Sequence, residues 1–343
     1  MSPRSSLATL LLFALPACGA LGLLVRTEAL VVLDKSDATA RVFDPDSRAL
    51  RTVLPTGAGP HEVVCRGGLA VVTDYGEQEP GHTLTVLDLA AGSVVRTIEL
   101  APHERPHGIL WLDERRVLVT SEASEALLRV DVESGAVEAV LSTGAKGSHM
   151  VALAPDGARA FAANMGSNTV SAIDLTSGEL LAQIPVGHGP EAIDVSPGGR
   201  EVWVGNRFDD TLTVLDARTL EPLSTLPCAK FPIRLKFTPD GERVLVSCAR
   251  SADVAVFDAR GRSEVLRIPM QLTTSEQSSD YFLGRALGDG PLPIGILIEP
   301  SGGRAWIANT NADAVTEIDL DAWSVVARIP TGRQPDGLAW SSH

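Results

Sequence analysis

Aromatic side chains are scarce in this chain of 343 residues. Phe, Trp and Tyr make up 4 % of it, although apolar residues make up 44 %. A packed core of this composition must be built mainly from Val, Leu, Ile and Ala. Basic residues are also in the minority, with 29 Lys and Arg against 43 Asp and Glu and a net charge of −14. Because nucleic-acid-binding surfaces need clustered basic side chains, the composition argues against a nucleic-acid partner.

The motifs of several enzyme classes are missing from the sequence. The four cysteines form no Cys-x-x-Cys-His haem motif and no zinc-binding pair. No glycine-rich phosphate loop is present, and Ser, His and Asp do not occur in the order of a hydrolase triad. The chain contains a repeat of short apolar runs, and none of these runs continues at helical spacing long enough to predict a helix.

A repeated unit dominates the chain, and its most regular copy runs from Gly144 to Gly187. Four short aliphatic runs in this copy end at turn residues such as Pro-Asp-Gly and Thr-Ser-Gly. Such runs are typical of β-strands joined by tight turns. The four predicted strands are 151–154, 160–163, 169–173 and 180–186.

An aspartate ends the third strand of every copy. The seven positions are Asp44, Asp88, Asp131, Asp174, Asp216, Asp258 and Asp319. They are 42 to 44 residues apart, except for a last interval of 61. A short carboxylate can accept backbone N–H groups of the next turn, so we expect a structural role for all seven. A period of this length with four strands is typical of a β-propeller blade.

The two ends of the chain complete one blade. The first copy begins at Ala29 with what should be its second strand, and the missing first strand recurs at Gln334–Trp340. The sequence therefore predicts an all-β fold, a seven-bladed β-propeller of four-stranded antiparallel blades, closed by pairing of the N- and C-terminal strands. Closure removes an exposed sheet edge. The predicted blades of this domain, 29–343, are 29–57 with 333–343, 58–100, 101–144, 145–187, 188–229, 230–270 and 271–332.

Residues 1–28 have the pattern of an export signal followed by a short linker. Arg4 precedes the apolar run Leu7–Leu15, and Leu15-Pro16-Ala17-Cys18 is similar to a bacterial lipobox, which predicts a lipid on Cys18. Because Pro16 is unusual in a lipobox, a plain cleaved signal stays open, as does an uncleaved anchor over Leu7–Val25. We expect an exported protein in the periplasm or on the outer surface, held at the membrane by lipid or by that anchor.

Extra residues fall on one side of the predicted ring. We call this side the top face; it carries the blade-to-blade connections and the loops between second and third strands. The insertions lie in Tyr75–His82, Ala101–Arg105 and Gln271–Pro291. Bulk on one face indicates function, whereas exposed loops also tolerate insertion by drift. We predict that 271–291 is a lid, with Tyr281 or Phe282 packed over the top face.

The inner strands bring one residue per blade to the mouth of the central channel. These residues are His61, His107, His149, Glu191, Ile233, Ile294 and Asp336, and Arg234 follows Ile233. We predict that the polar members and Arg234 bind the ligand. His61, His107 and His149 could hold a divalent metal, or His107 or His149 could act as a general base. Histidines that merely line a hydrated channel are the alternative.

The other three cysteines have different predicted roles: one is expected to pack in the core, and a disulfide between the other two stays open. We expect Cys65, in an inner strand, to be a buried small apolar residue. Cys228 and Cys248 both map to the top face of adjacent blades. They could form a disulfide in an exported protein, if their backbone positions meet the narrow distance limits.

Second strands that end in VWVGN (202–206), AWIAN (305–309) and AFAAN (160–164) carry a family resemblance. With the blade opening GHGPEAIDVSPGG, they resemble the YVTN-type or YncE-like seven-bladed propellers, also called surface-layer-protein-like, over nearly the whole chain after residue 29. The resemblance implies the fold. It leaves function open, since the wider superfamily includes binding proteins, lactonases, a streptogramin lyase and the propeller of nitrous oxide reductase. The copies depart from the expected Asn at Asp34, Asp74, Ser121 and Cys248.

Two functions follow from these patterns. We expect a membrane-tethered monomer that binds a ligand or an envelope protein on the top face, around the central channel, without catalysis. The alternative is a metal-dependent enzyme of lactonase or lyase type that uses the channel-mouth histidines. A divalent metal is the cofactor that this alternative needs. The fold does not identify the ligand or substrate.

Overall fold

The computed structural model describes residues 28–271 and 287–342. In these residues 28 β-strands form seven four-stranded sheets, with two short 3-10 helices at Lys35–Asp37 and Thr310–Ala312. In chain order, β1 to β28 are Ala29–Asp34, Thr39–Phe43, Leu50–Pro55, Pro60–Arg66, Leu69–Gly76, Pro80–Asp88, Ser93–Glu99, Pro106–Trp111, Arg116–Ser121, Ala126–Asp131, Val137–Ser142, Ser148–Leu153, Arg159–Asn164, Thr169–Asp174, Leu180–Pro185, Pro190–Val195, Glu201–Asn206, Thr211–Asp216, Pro222–Pro227, Pro232–Phe237, Arg243–Cys248, Asp253–Asp258, Ser263–Pro269, Pro293–Ile298, Arg304–Asn309, Ala314–Asp319, Ser324–Pro330 and Pro335–Ser341.

The sheets are the seven blades of a closed propeller, as predicted. Blades 2 to 7 each use four consecutive strands, from β4–β7 to β24–β27, whereas blade 1 has the order β28-β1-β2-β3. In blade 1, Ala29 faces Ser341 and Leu30 faces Trp340 across an antiparallel ladder. The inner strand of every blade contacts the inner strand of the next, including β28 with β4. The chain ends therefore close the ring.

The core lies between blades. One cluster of buried side chains fills each of the seven gaps between neighbouring blades. Between blades 2 and 3, for example, Val71 and Leu84 meet Val119 and Leu128. Aliphatic residues dominate these layers, as the composition predicted, and Trp203 is one of the few large aromatic side chains that are fully buried. Because each blade buries its faces against two neighbours, the blades stabilise one another.

All seven turn aspartates serve their own backbone, as predicted. Asp174 is representative, since its Oδ1 accepts the N–H groups of Thr176 and Ser177, both at 2.9 Å. Backbone N–H groups two or three residues later donate in the same way to the Oδ1 of Asp44, Asp88, Asp131, Asp216, Asp258 and Asp319. They fix the turn between the third and fourth strands of each blade.

The asparagine that ends the second strand is also structural. In blade 4 the Asn164 Nδ2 donates to the hydroxyls of Thr169 at 3.1 Å and Ser171 at 2.8 Å, which ties the second strand to the third. Asp74 takes this position in blade 2 and accepts hydrogen bonds from two threonine hydroxyls. A carboxylate thus makes the same link with the donor and acceptor exchanged.

The cysteines differ from expectation in one case. Cys65, predicted to be buried, is half-buried beside the core between blades 1 and 2. The Sγ atoms of Cys228 and Cys248 lie 3.7 Å apart as free thiols. The two residues are therefore neighbours, in keeping with their predicted places on the top face of adjacent blades, and they are not joined by a disulfide.

Several predictions from the sequence fall outside the described residues. They are the signal segment with Cys18, and the lid residues Tyr281 and Phe282. Within residues 28–271 and 287–342, no helix is both long and apolar enough to cross a membrane.

Candidate functional site

A cavity of about 730 Å³ opens at the mouth of the central channel on the top face. Its lining includes the second residue of every inner strand, which are His61, His107, His149, Glu191, Ile233, Ile294 and Asp336, together with Arg234. The ring symmetry of the fold therefore brings together all the residues that the sequence placed at this mouth. We call this cavity the top pocket.

The histidines are packed tightly because the inner strands approach closely. Gly108 follows His107, and a Cβ atom there would lie 2.7 Å from the carbonyl oxygen of His149. Gly337 has the same role beside the carbonyl oxygen of His61, at 2.4 Å. Real Cβ atoms do not come this near to other heavy atoms, so only glycine allows these neighbouring strands to meet at this level.

Hydroxyl groups on second strands lock one blade to the next. The Thr73 Oγ1 of blade 2 donates to the carbonyl oxygen of His107 in blade 3 at 3.0 Å. The Thr120 Oγ1 of blade 3 donates in the same way to the carbonyl oxygen of His149 in blade 4. These bonds are buried, and they hold the backbone that carries both imidazoles.

Three imidazoles and one phenol ring form the polar end of the pocket. The ring centroids of His61 and His107 are 4.9 Å apart, and those of His107 and His149 are 3.5 Å apart. The Tyr75 ring lies 4.4 Å from that of His61. Burial lowers the pKa of His61 to about 3 and also lowers the pKa of His107, and the neighbouring cationic and imidazole groups add to this shift. Both imidazoles are therefore neutral.

His149 lies between two carboxylates. Its Nδ1 is hydrogen-bonded to Glu122, and its Nε2 lies 3.1 Å from the Glu191 Oε1. The other oxygen of Glu122 accepts a hydrogen bond of 2.8 Å from the Tyr75 hydroxyl. Burial opposes the charged form of His149, but the two carboxylates outweigh it and raise the pKa of this imidazole.

An ion-paired triad forms the floor of the top pocket. The guanidinium of Arg234 donates to Glu62 at 2.8 Å and to Glu191 at 2.9 Å, and Arg207 pairs with the second oxygen of Glu191. Arg234 also lines a second cavity of about 530 Å³ below, in the channel. The triad therefore separates the two cavities. Burial tends to raise the pKa of Glu191, but His149 and the two arginines hold it below its usual range.

Asp336 forms the other ion pair of the ring. Its Oδ2 lies 2.6 Å from the Nζ of Lys35, in blade 1. Both side chains are nearly buried. Burial tends to raise the pKa of Asp336, but Lys35 overcomes this and lowers it. The predicted carboxylates Glu191 and Asp336 thus already have cationic partners.

The sequence analysis missed a second ring of pocket residues. Four blades contribute to the lining the residue that directly follows the asparagine position of the second strand, namely Lys35, Tyr75, Met165 and Arg207. Glu122 has the same place in blade 3 and contacts His149 and Tyr75 of the lining. A sequence signal for them exists, since each occupies an equivalent place in the repeat. Their side-chain types vary widely, however, so the pattern of residue types alone did not mark them as a set.

The rim of the pocket carries cations and aromatic rings. The Arg105 guanidinium lies 4.7 Å from the Tyr75 ring centroid, and that of Arg250 lies 4.6 Å from the Phe231 centroid. Phe208, more than half exposed, packs edge-on against Phe231. Within the described ranges, neither Arg105 nor Arg250 forms an ion pair with a carboxylate. All three predicted insertions reach the pocket, through Tyr75, Gly76 and Glu77, through Arg105, and through Leu287.

One set of side chains has the spacing of a metal site. A ligand atom from each of His107, Glu122 and His149 lies within 4.8 Å of the others. This set differs from the predicted trio, because Glu122 takes the place of His61. The His61 Nδ1 is hydrogen-bonded to the carbonyl oxygen of Gly59 at 2.8 Å, within its own turn.

Comparison with known proteins places the fold. Residues 112–221 match the family model of the YNCE-like beta-propeller, and residues 181–269 match that of the lactonase, 7-bladed beta-propeller. No curated protein matches the chain. Hydrazine synthase from Kuenenia stuttgartiensis is a similar solved structure, with 18 % identity and a TM-score of 0.69 over 82 % of this chain and 89 % of that one. A functionally unknown protein from Desulfotomaculum acetoxidans has 14 % identity and a TM-score of 0.73 over 92 % and 98 %. At these identities the two structures share the fold alone.

Proposed function

We propose that this chain, whose resemblance to the YncE-like seven-bladed propellers is confirmed, binds a small organic anion in the top pocket without converting it chemically. The charge of the pocket carries this proposal. Five cationic side chains line it, in a protein whose net charge is −14: Lys35, Arg105, Arg207, Arg234 and Arg250. They outnumber the three carboxylates of the lining, which are Glu77, Glu191 and Asp336. A cationic concave site on an acidic protein concentrates anions.

The cations have two roles. Lys35, Arg207 and Arg234 hold the buried carboxylates and build the floor. Arg105 and Arg250 lie at the rim, above aromatic rings and without carboxylate partners in the described part of the chain. A guanidinium in this position can donate two parallel hydrogen bonds to a carboxylate. Arg250 is therefore the group that contacts the anion directly. Arg105 donates from its Nη atoms to the carbonyl oxygens of Glu77 and Gln78, so it adds positive charge at the rim.

The part of the pocket away from the three imidazoles is apolar. It is lined by Met165, Phe208, Phe231, Ile233 and Ile294. A volume of about 730 Å³ lies in the range of small-molecule sites. Apolar walls beside a few charged groups fit a ligand with a hydrocarbon or aromatic body and an anionic group.

The state of the histidines favours binding over catalysis. A general base works best when its pKa lies near the working pH. The two neutral imidazoles, His61 and His107, have lowered pKa values, and both ring nitrogens of His149 face carboxylates. His61 and His107 are thus weak bases near neutral pH, and His149 has no ring nitrogen free to accept a proton from a substrate.

A second candidate is a hydrolase that opens a lactone. The match to the lactonase model over 181–269 favours it, because Glu191, Arg207 and Arg234 lie in that range and in the pocket. The arginines would then stabilise the negative charge that develops on the lactone carbonyl oxygen when water attacks, and afterwards the carboxylate of the hydroxy-acid product.

A binding panel tests the proposal. Aliphatic and aromatic carboxylates and their neutral primary amides are titrated into the protein by calorimetry, with lactones assayed for acid release. We expect carboxylates to bind and their amides to bind at least tenfold more weakly. Arg250→Gln and Arg105→Gln should each weaken carboxylate binding about tenfold. Arg200→Gln, an equal charge change on the opposite face, is the control. Equal binding of amides and acids would refute the proposal, and acid release that is lost in Arg234→Gln would favour the hydrolase.

We also propose that the pocket works outside the cytoplasm, tethered to the membrane, as a monomer. The signal-like segment 1–28 and its lipobox-like Cys18 support export and tethering. Ring closure supports the monomer, since the paired chain ends leave blade 1 complete.

A further inference from the structure

We propose that His107, Glu122 and His149 bind one divalent transition-metal ion at the polar end of the top pocket. This inference rests on the geometry of these three side chains and does not depend on the proposed anion. Their ligand atoms lie within 4.8 Å of one another. A tetrahedral ion with bonds of about 2.1 Å spaces its ligand atoms roughly 3.4 Å apart, so only small side-chain rotations are needed.

The chemistry of the ligands selects the class of ion. Two imidazole nitrogens and one carboxylate oxygen suit zinc and its first-row neighbours, whereas calcium and magnesium prefer sites made only of oxygen ligands. Three protein ligands also leave a fourth coordination position open to solvent or ligand.

The surroundings already orient two of the three ligands. An imidazole that binds metal usually donates its other N–H to a carboxylate, and the Nε2 of His149 lies 3.1 Å from Glu191, with Nδ1 towards Glu122. Glu122 is held by the Tyr75 hydroxyl at 2.8 Å on its second oxygen. Metal binding would replace the direct hydrogen bond between Glu122 and His149 while both supporting contacts remain.

The third ligand, His107, provides an independent observation. This side chain is only 1 % exposed, and its Nδ1 has no hydrogen-bond partner among the described residues. Buried ring nitrogens are normally satisfied by protein, water or an ion. The His107 imidazole therefore lacks a partner, and a bound metal ion would supply one. Its ring centroid is 3.5 Å from that of His149, the second imidazole ligand.

The test measures metal binding directly. The full-length protein without a histidine tag is stripped with chelator and titrated with Zn²⁺ by calorimetry, and with Co²⁺ by visible absorption, in a buffer free of carboxylates. We expect one equivalent to bind, with a cobalt ligand-field band. His107→Ala and the nearly isosteric Glu122→Gln should each weaken binding about 100-fold or more. Tyr75→Phe, which removes only a supporting contact, should cost about tenfold.

Controls separate this site from surface binding and from misfolding. His103→Ala changes a half-buried histidine of the same face that contacts Ser124 instead, and it should bind metal like the wild type. Melting curves without metal show whether each variant folds. The proposal is overturned if the wild type binds no stoichiometric metal, or if Glu122→Gln and His107→Ala both retain wild-type affinity. The metal titration contains no carboxylate ligand, so its result does not depend on whether the proposed anion binds.

Discussion

Replacing Asp74 by Asn should make the protein more stable at neutral pH. Asp74 occupies the position where blades 4 and 5 carry Asn164 and Asn206, and it is 2 % exposed. Its carboxylate accepts hydrogen bonds of 2.8 Å from Thr83 and Thr85 and one of 2.9 Å from the Gly57 N–H. An asparagine could keep all three, since its Nδ2 would donate to the hydroxyls as in Asn206, and its Oδ1 would accept from Gly57.

The magnitude follows from the pKa of the buried carboxyl. Burial raises the pKa of Asp74 from 3.8 to about 6, against the opposing effect of its hydrogen bonds. A folded-state pKa above the unfolded value means that the unfolded state loses its proton first, so the stabilisation is complete below pH 4 and is lost as the pH rises through 6. At 1.36 kcal/mol per pKa unit, the loss is about 3 kcal/mol above pH 7. The asparagine variant avoids this loss.

Equilibrium unfolding in urea at several pH values is the assay. Near pH 4 the wild type and Asp74→Asn should have similar free energies of unfolding, because Asp74 is protonated there. The curves should diverge between pH 4 and 7, with the variant ahead by about 3 kcal/mol at pH 7.5. For a chain of this size that difference is roughly 4 °C in melting temperature, from an unfolding entropy near 2 cal/mol/K per residue.

The reverse substitution provides the control. Asn206→Asp in blade 5 introduces a buried carboxyl at the equivalent, fully buried position. It should destabilise the protein at pH 7.5 and do so less at pH 4. The reasoning is refuted if Asp74→Asn is no more stable than the wild type at pH 7.5, or if its effect does not change with pH.

Three further predictions concern the packing of the ring and the chain ends. In the same urea assay, Gly108→Ala should destabilise the protein by about 1–3 kcal/mol, because its Cβ would meet the carbonyl oxygen of His149. The control Gly198→Ala has open space around it and should change the stability by no more than about 0.5 kcal/mol. Deleting residues 333–343 removes β28 and should abolish the cooperative melting transition; an unchanged melting temperature would contradict this. Mass spectrometry of the native protein should find a lipid-modified Cys18 as the first residue, and an unmodified peptide that spans Ala17 and Cys18 would exclude it.

Local patterns were enough to predict the fold. Asp174 and its equivalents mark the turn after every third strand, and the repeat of that mark counts the blades. The pairing of Gln334–Trp340 with the strand at Ala29 could also be deduced, because the missing strand of one copy appears at the other end of the chain. These signals are short-range hydrogen bonding and strand periodicity, which depend little on distant residues.

Equivalent positions in the repeat also predicted part of the site. His61, His107 and His149 come from the same place in successive inner strands, so ring symmetry directs them to a common mouth. The tertiary structure decided their partners. Glu122 replaces His61 in the metal-like set because a loop residue of blade 3 reaches His149 in blade 4, while the Nδ1 of His61 bonds within its own turn.

The electrostatic roles were likewise beyond the sequence. Arg234 bridges Glu62 and Glu191, residues that are 129 positions apart in the chain. No local pattern connects such residues, since they meet only when the ring has closed. Burial then decides which groups are charged, and burial is a property of the assembled ring. The sequence by itself determined the blades and the residues facing the channel, whereas closure of the ring decided which of these side chains pair.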